Sequence, residues 1–229
     1  MKLKPDVLYI THPHADHLDD VETALDKTYR PLALYCEDYD WEDVKRKEKK
    51  ELAYKVDKFR ELISAVPRAH YSGAASLKYW RYIPSASKKQ FSDATYVNNS
   101  SLFIIYSWRE FKVSITGDLE SDGMQGMLDN KEFCADAKGT YILIPPHHGH
   151  TNGFPTDWVT KVGRPYVSII SVQERDQHLD GRYSSPDFAR GVTFDGKTRY
   201  RLTTRSDGNI AVDMYYGSDG KAKWSFQSF

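Results

Sequence analysis

Val7-Leu8-Tyr9-Ile10-Thr11-His12-Pro13-His14-Ala15-Asp16-His17 is the stretch that decides the fold. Its first four residues form a short apolar run that reads as a buried strand. Three histidines and an aspartate then fall within six consecutive positions, His12 to His17. In an extended segment alternate side chains point the same way, so His12, His14 and Asp16 can share one face while His17 turns to the other. Imidazole nitrogen and carboxylate oxygen are ordinary zinc ligands, and this arrangement suits two neighbouring metal ions better than one. Four ligand-type side chains cost too much desolvation to be crowded together without a cation, so a merely polar turn is the weaker reading.

Outward from that stretch, Asp19 and Asp20 sit at the start of a short helix through Val21, Ala24 and Leu25, where carboxylates favour the positive end of the helix dipole. Leu32-Ala33-Leu34-Tyr35 is the next strand. The resulting strand–loop–helix–strand unit places a site at the carboxyl end of its first strand. Trp41 to Ile63 reads as one helix, with Val44, Leu52, Val56, Phe59 and Ile63 on a common stripe and Asp40 as N-cap. Its charged run, Lys45 to Glu51, is better explained as a solvated face of i,i+3 and i,i+4 pairs than as a nucleic-acid patch.

From Pro67 to Val97 aromatic residues (Tyr71, Tyr79, Trp80, Tyr82, Phe91, Tyr96) alternate with Arg68, Lys78, Arg81, Lys88 and Lys89. Such a segment can stack on bases and pair with phosphates, or pack as an ordered loop on the sheet. It is the local candidate for a substrate-facing lip. Strand patterns follow at Ser101–Tyr106 and Phe111–Thr116, joined by a hairpin-sized turn, and at Tyr141–Ile144 and Tyr166–Ile170. In the tail, Thr198–Thr204 and Ile210–Tyr216 read as a hairpin about Ser206-Asp207-Gly208-Asn209.

Two further polar clusters sit at strand ends: Thr116-Gly117-Asp118 and Pro145-Pro146-His147-His148-Gly149-His150. Gly117 permits a sharp bend that turns the Asp118 carboxylate inward. Alone, each cluster is ambiguous. Behind His12–His17, at the ends of successive core strands, they become candidate ligands.

The motif His12-Pro13-His14-Ala15-Asp16-His17 resembles the H-x-H-x-D-H signature of the metallo-β-lactamase fold. Asn98-Asn99-Ser100-Ser101-Leu102, Thr116-Gly117-Asp118 and Pro146-His147-His148-Gly149-His150 are similar to the motifs of one branch, the soluble relatives of the ComEC-type competence DNA-uptake proteins. Ser168–Val172 and Thr204–Ile210 resemble that branch's later strands, so the similarity runs from about Asp6 to Met214. It implies an α/β protein of αββα sandwich type, one domain over residues 1–229 with a helical insertion near 41–63. It also implies two divalent metal ions, zinc expected and manganese an alternative. The metal ligands would be His12, His14, Asp16, His17, Asp118 and His147, with Asp118 bridging. Asp16 or Asp118 would orient a metal-activated hydroxide, while His148 or His150 would protonate the leaving oxygen or bind a phosphate oxygen.

Three positions depart from the pattern. The chain begins almost directly on its first motif, so the sandwich is expected to lack its first N-terminal strands, a half-sheet that a protein partner or homo-oligomer could complete. Ile83-Pro84 stands where the branch often has His-Pro, leaving the first metal without its usual third ligand, with His70 as a substitute. Ser184-Ser185-Pro186 replaces a late Gly-His-Pro and reads as a helix cap.

The expected activity is hydrolysis of a phosphodiester, chiefly in DNA or RNA. The alternatives are a small phosphodiester or cyclic nucleotide, or a weakened metal-binding subunit that pairs with another chain. At 229 residues and 40% hydrophobic content the chain can bury a substantial core. Its 32 basic and 32 acidic residues balance, so no overall field draws it to nucleic acid. Cys36 and Cys134 make neither a zinc pair nor a disulfide framework, and no run is long enough to span a bilayer. A cytoplasmic protein with no membrane partner is expected.

Overall fold

The apolar run before the His-rich motif is too short to make a sheet alone and takes one partner. In the computed structural model, which describes residues 4–83, 93–172 and 178–229, β1 (Val7–Tyr9) pairs in parallel with β2 (Ala33–Tyr35). Helices α1 (Val21–Leu25), α2 (Trp41–Lys47) and α3 (Ala53–Ala65) cover this pair. Val56, Phe59 and Leu62 of α3 recur every three residues and meet Leu18, Val21, Leu34 and Val44 in a core of their own. Each such side chain contributes about 1.5–3 kcal/mol on burial.

The remaining strands build a six-stranded mixed sheet. Five of them are β3 (Ser76–Arg81), β4 (Leu102–Trp108), β5 (Phe111–Ile115), β6 (Ile142–Ile144) and β7 (Val167–Ile170). The pair β8 (Val192–Phe194) and β9 (Lys197–Arg199) stands outside, after which β10 (Arg201–Thr203) returns to the sheet edge. The order is β10-β7-β6-β5-β4-β3, antiparallel from β3 to β5 and parallel from β5 to β10. β11 (Ile210–Tyr216) and β12 (Ala222–Ser228) close the chain as a hairpin.

Period-two alternation divides the sheet's side chains between two cores. Leu143 joins Phe103, Leu119, Met124, Phe133 and Trp158. Ile142 and Ile144 join Val167, Leu202 and the hairpin's Val212 and Phe226. Of the later helices, α4 (Asp93–Asn99) leads into β4, and apolar residues of α5 (Ser121–Leu128), α6 (Lys131–Ala137) and α7 (Trp158–Lys161) fill the first of these cores. The protein is therefore of mixed α/β class. Among the described residues, no helix is long and apolar enough to cross a membrane.

Three sequence expectations need correction. The helix expected over Trp41–Ile63 is broken, because Glu48 turns extended (φ −73°, ψ 156°) and sends its carboxylate to the Ala15 amide. Asp40 does cap the first half, accepting from the Asp43 amide at 3.1 Å. The tail hairpin is also displaced. Ser206 and Asp207 belong to the helical turn α8 (Thr204–Asp207), in which Thr203 caps the Ser206 amide and Asp207 accepts from the Thr203 amide. Strand β10 therefore pairs with β7, and β11 finds its partner beyond Gly217–Gly220. Finally, the aromatic–basic segment holds an edge strand, β3, rather than a loop alone. Lys78 and Trp80 are bound to Asp136, Arg81 lies 3.5 Å from Glu37, and Arg68 pairs with Asp38. Pro84, Lys88, Lys89 and Phe91 lie outside the described residues.

Candidate metal centre

Three strand ends deliver the polar clusters to one place. After β1 the chain makes a 3-10 turn at Ala15–His17, whose first amide, Ala15, donates to Glu48 at 3.1 Å. After β5, Gly117 adopts φ +57°, and a Cβ there would lie 2.7 Å from the Ser101 Cβ and 3.0 Å from the Thr11 Cβ. Only glycine fits that close approach, and it aims Asp118 inward. The Asp118 amide donates to Ser101 Oγ at 3.0 Å, and the Leu102 amide donates to the Thr11 carbonyl at 2.8 Å. After β6, the His147 amide donates to the Gly117 carbonyl at 3.1 Å.

His147 and His148 are both left-handed, at φ 49° and 51°. Non-glycine residues held there cost of order 1–3 kcal/mol each, and such strain collects at functional sites. The turn closes on Gly149 at φ 75°, where a Cβ would strike Ile170.

This framework gathers Asp16, His17, Asp118 and His148, with one ligand atom from each lying within 4.8 Å of the others. His17 Nε2 stands 3.2 Å from Asp118 Oδ2 and 3.8 Å from Asp16 Oδ2. His148 Nε2 stands 3.4 Å from both carboxylates. A tetrahedron with bonds of about 2.0–2.1 Å has edges of about 3.3–3.4 Å, so these spacings fit ligands around one cation. The His17 and His148 Nε2 atoms are buried and make no properly directed hydrogen bond among the described residues, as nitrogens reserved for a metal would. The group could hold a metal ion. Asp118 is buried while the Asp16 side chain is 58% exposed, so one side of the group faces solvent.

Electrostatics point the same way. Burial alone would raise the Asp118 pKa, but the imidazoles of His148 and His17 hold it well below the usual carboxylate range. Asp16 is likewise lowered, chiefly by His148. The carboxylates of Asp118 and then Asp16 push His148 up to about 10. In the metal-free protein a proton on His148 thus supplies the positive charge that the two carboxylates require.

The remaining predicted residues fall into place around this group. His12 is fully buried, with Nδ1 3.2 Å from Thr11 Oγ1 and Nε2 3.2 Å from His14 Nδ1 and 3.8 Å from Asp118 Oδ2. Burial lowers its pKa, keeping it neutral and available as a ligand. His12 therefore lies beside Asp118 and His14 beside His12, neither joining the group of four. His147, expected among the ligands, does not join the group of four, although its Nδ1 is also buried with no hydrogen bond among the described residues. Its Nδ1 lies 3.9 Å from Glu120 Oε1 and its ring packs 5.0 Å from that of His150, while its neighbour His148 enters the site. His150 lies beside the group, its ring 6.2 Å from that of His148. His70 packs on Tyr35 and Tyr79, at 4.1 and 4.8 Å between ring centres. The Ser184–Pro186 segment forms a single turn in which Ser185 accepts from the Asp187 amide, not the start of a helix.

Sequence reasoning singled out Asn98–Leu102 as a motif but gave its residues no role, and it missed Glu48. Asn99 Oδ1 accepts from the Glu120 and Gly123 amides and so caps α5, while Asn98 holds Glu120. With Ser101 on the Asp118 amide, the Asn98–Ser101 segment positions the Gly-Asp turn; the spacing of its amides and hydroxyl was the available signal. Glu48 carried none, being one acid in a charged run. Compared with known proteins, the chain matches no family model and no curated sequence.

Proposed function

We propose that this chain is a metal-dependent phosphodiester hydrolase of metallo-β-lactamase-like fold, its β1–β2 unit and mixed sheet corresponding to the two inner layers of an αββα sandwich. The observation that carries the reading is the convergence of Asp16, His17, Asp118 and His148 from three separate strand ends. A divalent ion there would supply a Lewis acid and a water acidic enough to attack at neutral pH. Zinc suits the two nitrogens and two oxygens, and His12 beside Asp118, with His14 next to it, offers a place for a second ion. The buried Asp118 fixes the ligand geometry, and the exposed Asp16 lies where a substrate enters and can orient the attacking water. His150, one ring beyond His148, is placed to receive a phosphate oxygen or return a proton to the leaving group.

Nucleic acid and small phosphodiesters are both candidate substrates. The second gains from the ion pairs of Lys78, Arg81 and Arg68, since basic side chains held by carboxylates are less free to follow a long phosphate backbone. Purified protein supplied with zinc or manganese should cleave single-stranded DNA, RNA, a dinucleotide or a cyclic nucleotide, and Asp118→Asn should lower the rate at least about a hundredfold. The preferred substrate decides between the two classes. No cleavage of any of them, with metal bound, would sink the proposal.

A further inference from the structure

The chain's net charge is zero, yet the charged side chains lining one surface hollow are two arginines, Arg199 and Arg201. A cavity of about 270 Å³ beside β10 is lined by Ser184, Thr198, Arg199, Arg201, Thr203 and Ser206. Arg201 is half-buried, and its one hydrogen bond among the described residues runs from Nη1 to the Asp180 carbonyl at 3.3 Å. A guanidinium carries five donors, so most of the Arg201 fork is left unanswered by the described residues.

Among the described residues, the two carboxylates that act on Arg201 are already committed. Asp180 accepts from Arg182 Nε and Nη2, the latter at 2.6 Å. Asp207 accepts from Arg199 at 2.9 Å and from the Thr203 amide at 2.8 Å. Among the described residues, Arg182 and Arg199 thus already occupy these two acids, and Arg201 has only the Asp180 carbonyl. Burial, followed by the charges of Arg205 and Arg199, lowers the Arg201 pKa against the opposing pull of Asp207 and Asp180.

We propose that this cavity is a binding site for a phosphate-type oxyanion, held by the Arg201 guanidinium, with the Ser184, Thr198 and Ser206 hydroxyls as further donors. The planar fork of arginine matches tetrahedral oxyanions two oxygens at a time, and the hydroxyls suit the oxygens that remain. The site does not depend on the hydrolase reading, although the two are linked through the backbone. Asp180, whose carbonyl binds Arg201, donates its amide to the Gly149 carbonyl, and Leu179 bridges to His150.

Calorimetric titration of the full chain tests this, in EDTA so that no divalent ion can hold the ligand, and at fixed ionic strength. One arm uses inorganic phosphate and the other a short single-stranded oligonucleotide without a terminal phosphate. Saturable binding in either arm is expected, weakened at least about tenfold by Arg201→Gln, which corresponds to about 1.4 kcal/mol. Ser184→Glu, at an exposed position, should abolish binding by giving Arg201 a carboxylate of its own, and decides the matter if Arg201→Gln does not fold. Binding of phosphate alone assigns the site to a free or terminal phosphate; binding of the oligonucleotide with the same Arg201 dependence assigns it to an internal phosphodiester. No saturable binding in either arm, or unchanged affinity in the folded variants, overturns the proposal. Neither result bears on cleavage, which is measured with metal present.

Discussion

Two adjacent histidines illustrate what a single residue's neighbours decide. His147 and His148 are chemically alike and share a left-handed backbone, so composition and spacing offer no means of choosing between them. The choice is made by direction: one ring goes to Glu120 and His150, the other to Asp16 and Asp118. His12–His17 and Asp118 stood out as strand-end clusters. Alternation would have set His17 on the face opposite His12, His14 and Asp16, whereas the 3-10 turn Ala15–His17 brings Asp16 and His17 into one group. Which His of the later pair enters was not legible either. The position of His148 carries a pH prediction. Its folded pKa is raised from 6.5 to about 10 in the metal-free protein, so its imidazolium contributes stability below the ordinary value, and that contribution is lost as pH rises through about 10. A metal ligand must be neutral, so an incoming ion displaces this proton. Zinc titration near pH 8, in buffers of differing ionisation enthalpy, should release about one proton more from the wild type than from His148→Gln. Equal proton release from the two would remove His148 from the site.

At the scale of elements, the least legible feature is the break between α2 and α3. The apolar spacing from Val44 through Leu52 to Phe59 is compatible with one helix, and local propensity gives no reason to interrupt it. The reason is tertiary. Glu48 leaves the helix to cap the turn that carries Asp16 and His17, and Lys55 of α3 binds Asp19 and the Ala15 carbonyl on the same turn. The displaced tail hairpin has a similar origin, since Thr203 and Asp207 use their side chains to close a helical turn where the Asp-Gly sequence suggested a reversal. Glu48 therefore acts as a remote cap. Glu48→Ala should cost about 1 kcal/mol, the usual loss on removing a capping side chain, read as a lower urea midpoint. It should also weaken zinc binding severalfold, while Glu48→Gln, which keeps an acceptor oxygen, stays near the wild type. A Glu48→Ala protein with unchanged midpoint and zinc affinity would show that the turn holds itself.

Across the whole molecule, the site lies where separately cored parts meet. The β1–β2 pair and helices α1 to α3 bury one core, and the six-stranded sheet divides two others between its faces. The α/β class was legible from strand patterns in the order of the chain, whereas the partition into cores depends on contacts between distant residues that no local pattern encodes. Asp16 and His17 belong to the first part, Asp118 and His148 to the second. An ion bound by all four would join the parts and stabilise only the folded arrangement. At a free concentration about a hundred times its Kd, such a ligand adds about 2.7 kcal/mol. For a chain of this length each kcal/mol raises Tm by about 2–4 °C, so zinc should raise it by roughly 5–10 °C over EDTA. Asp118→Asn should fold but lose most of that increment, because the buried carboxylate is the one nearest both imidazoles. An equal zinc-induced rise in the variant would place the ion elsewhere on the chain, and with it the metal-dependent chemistry assigned to this seam.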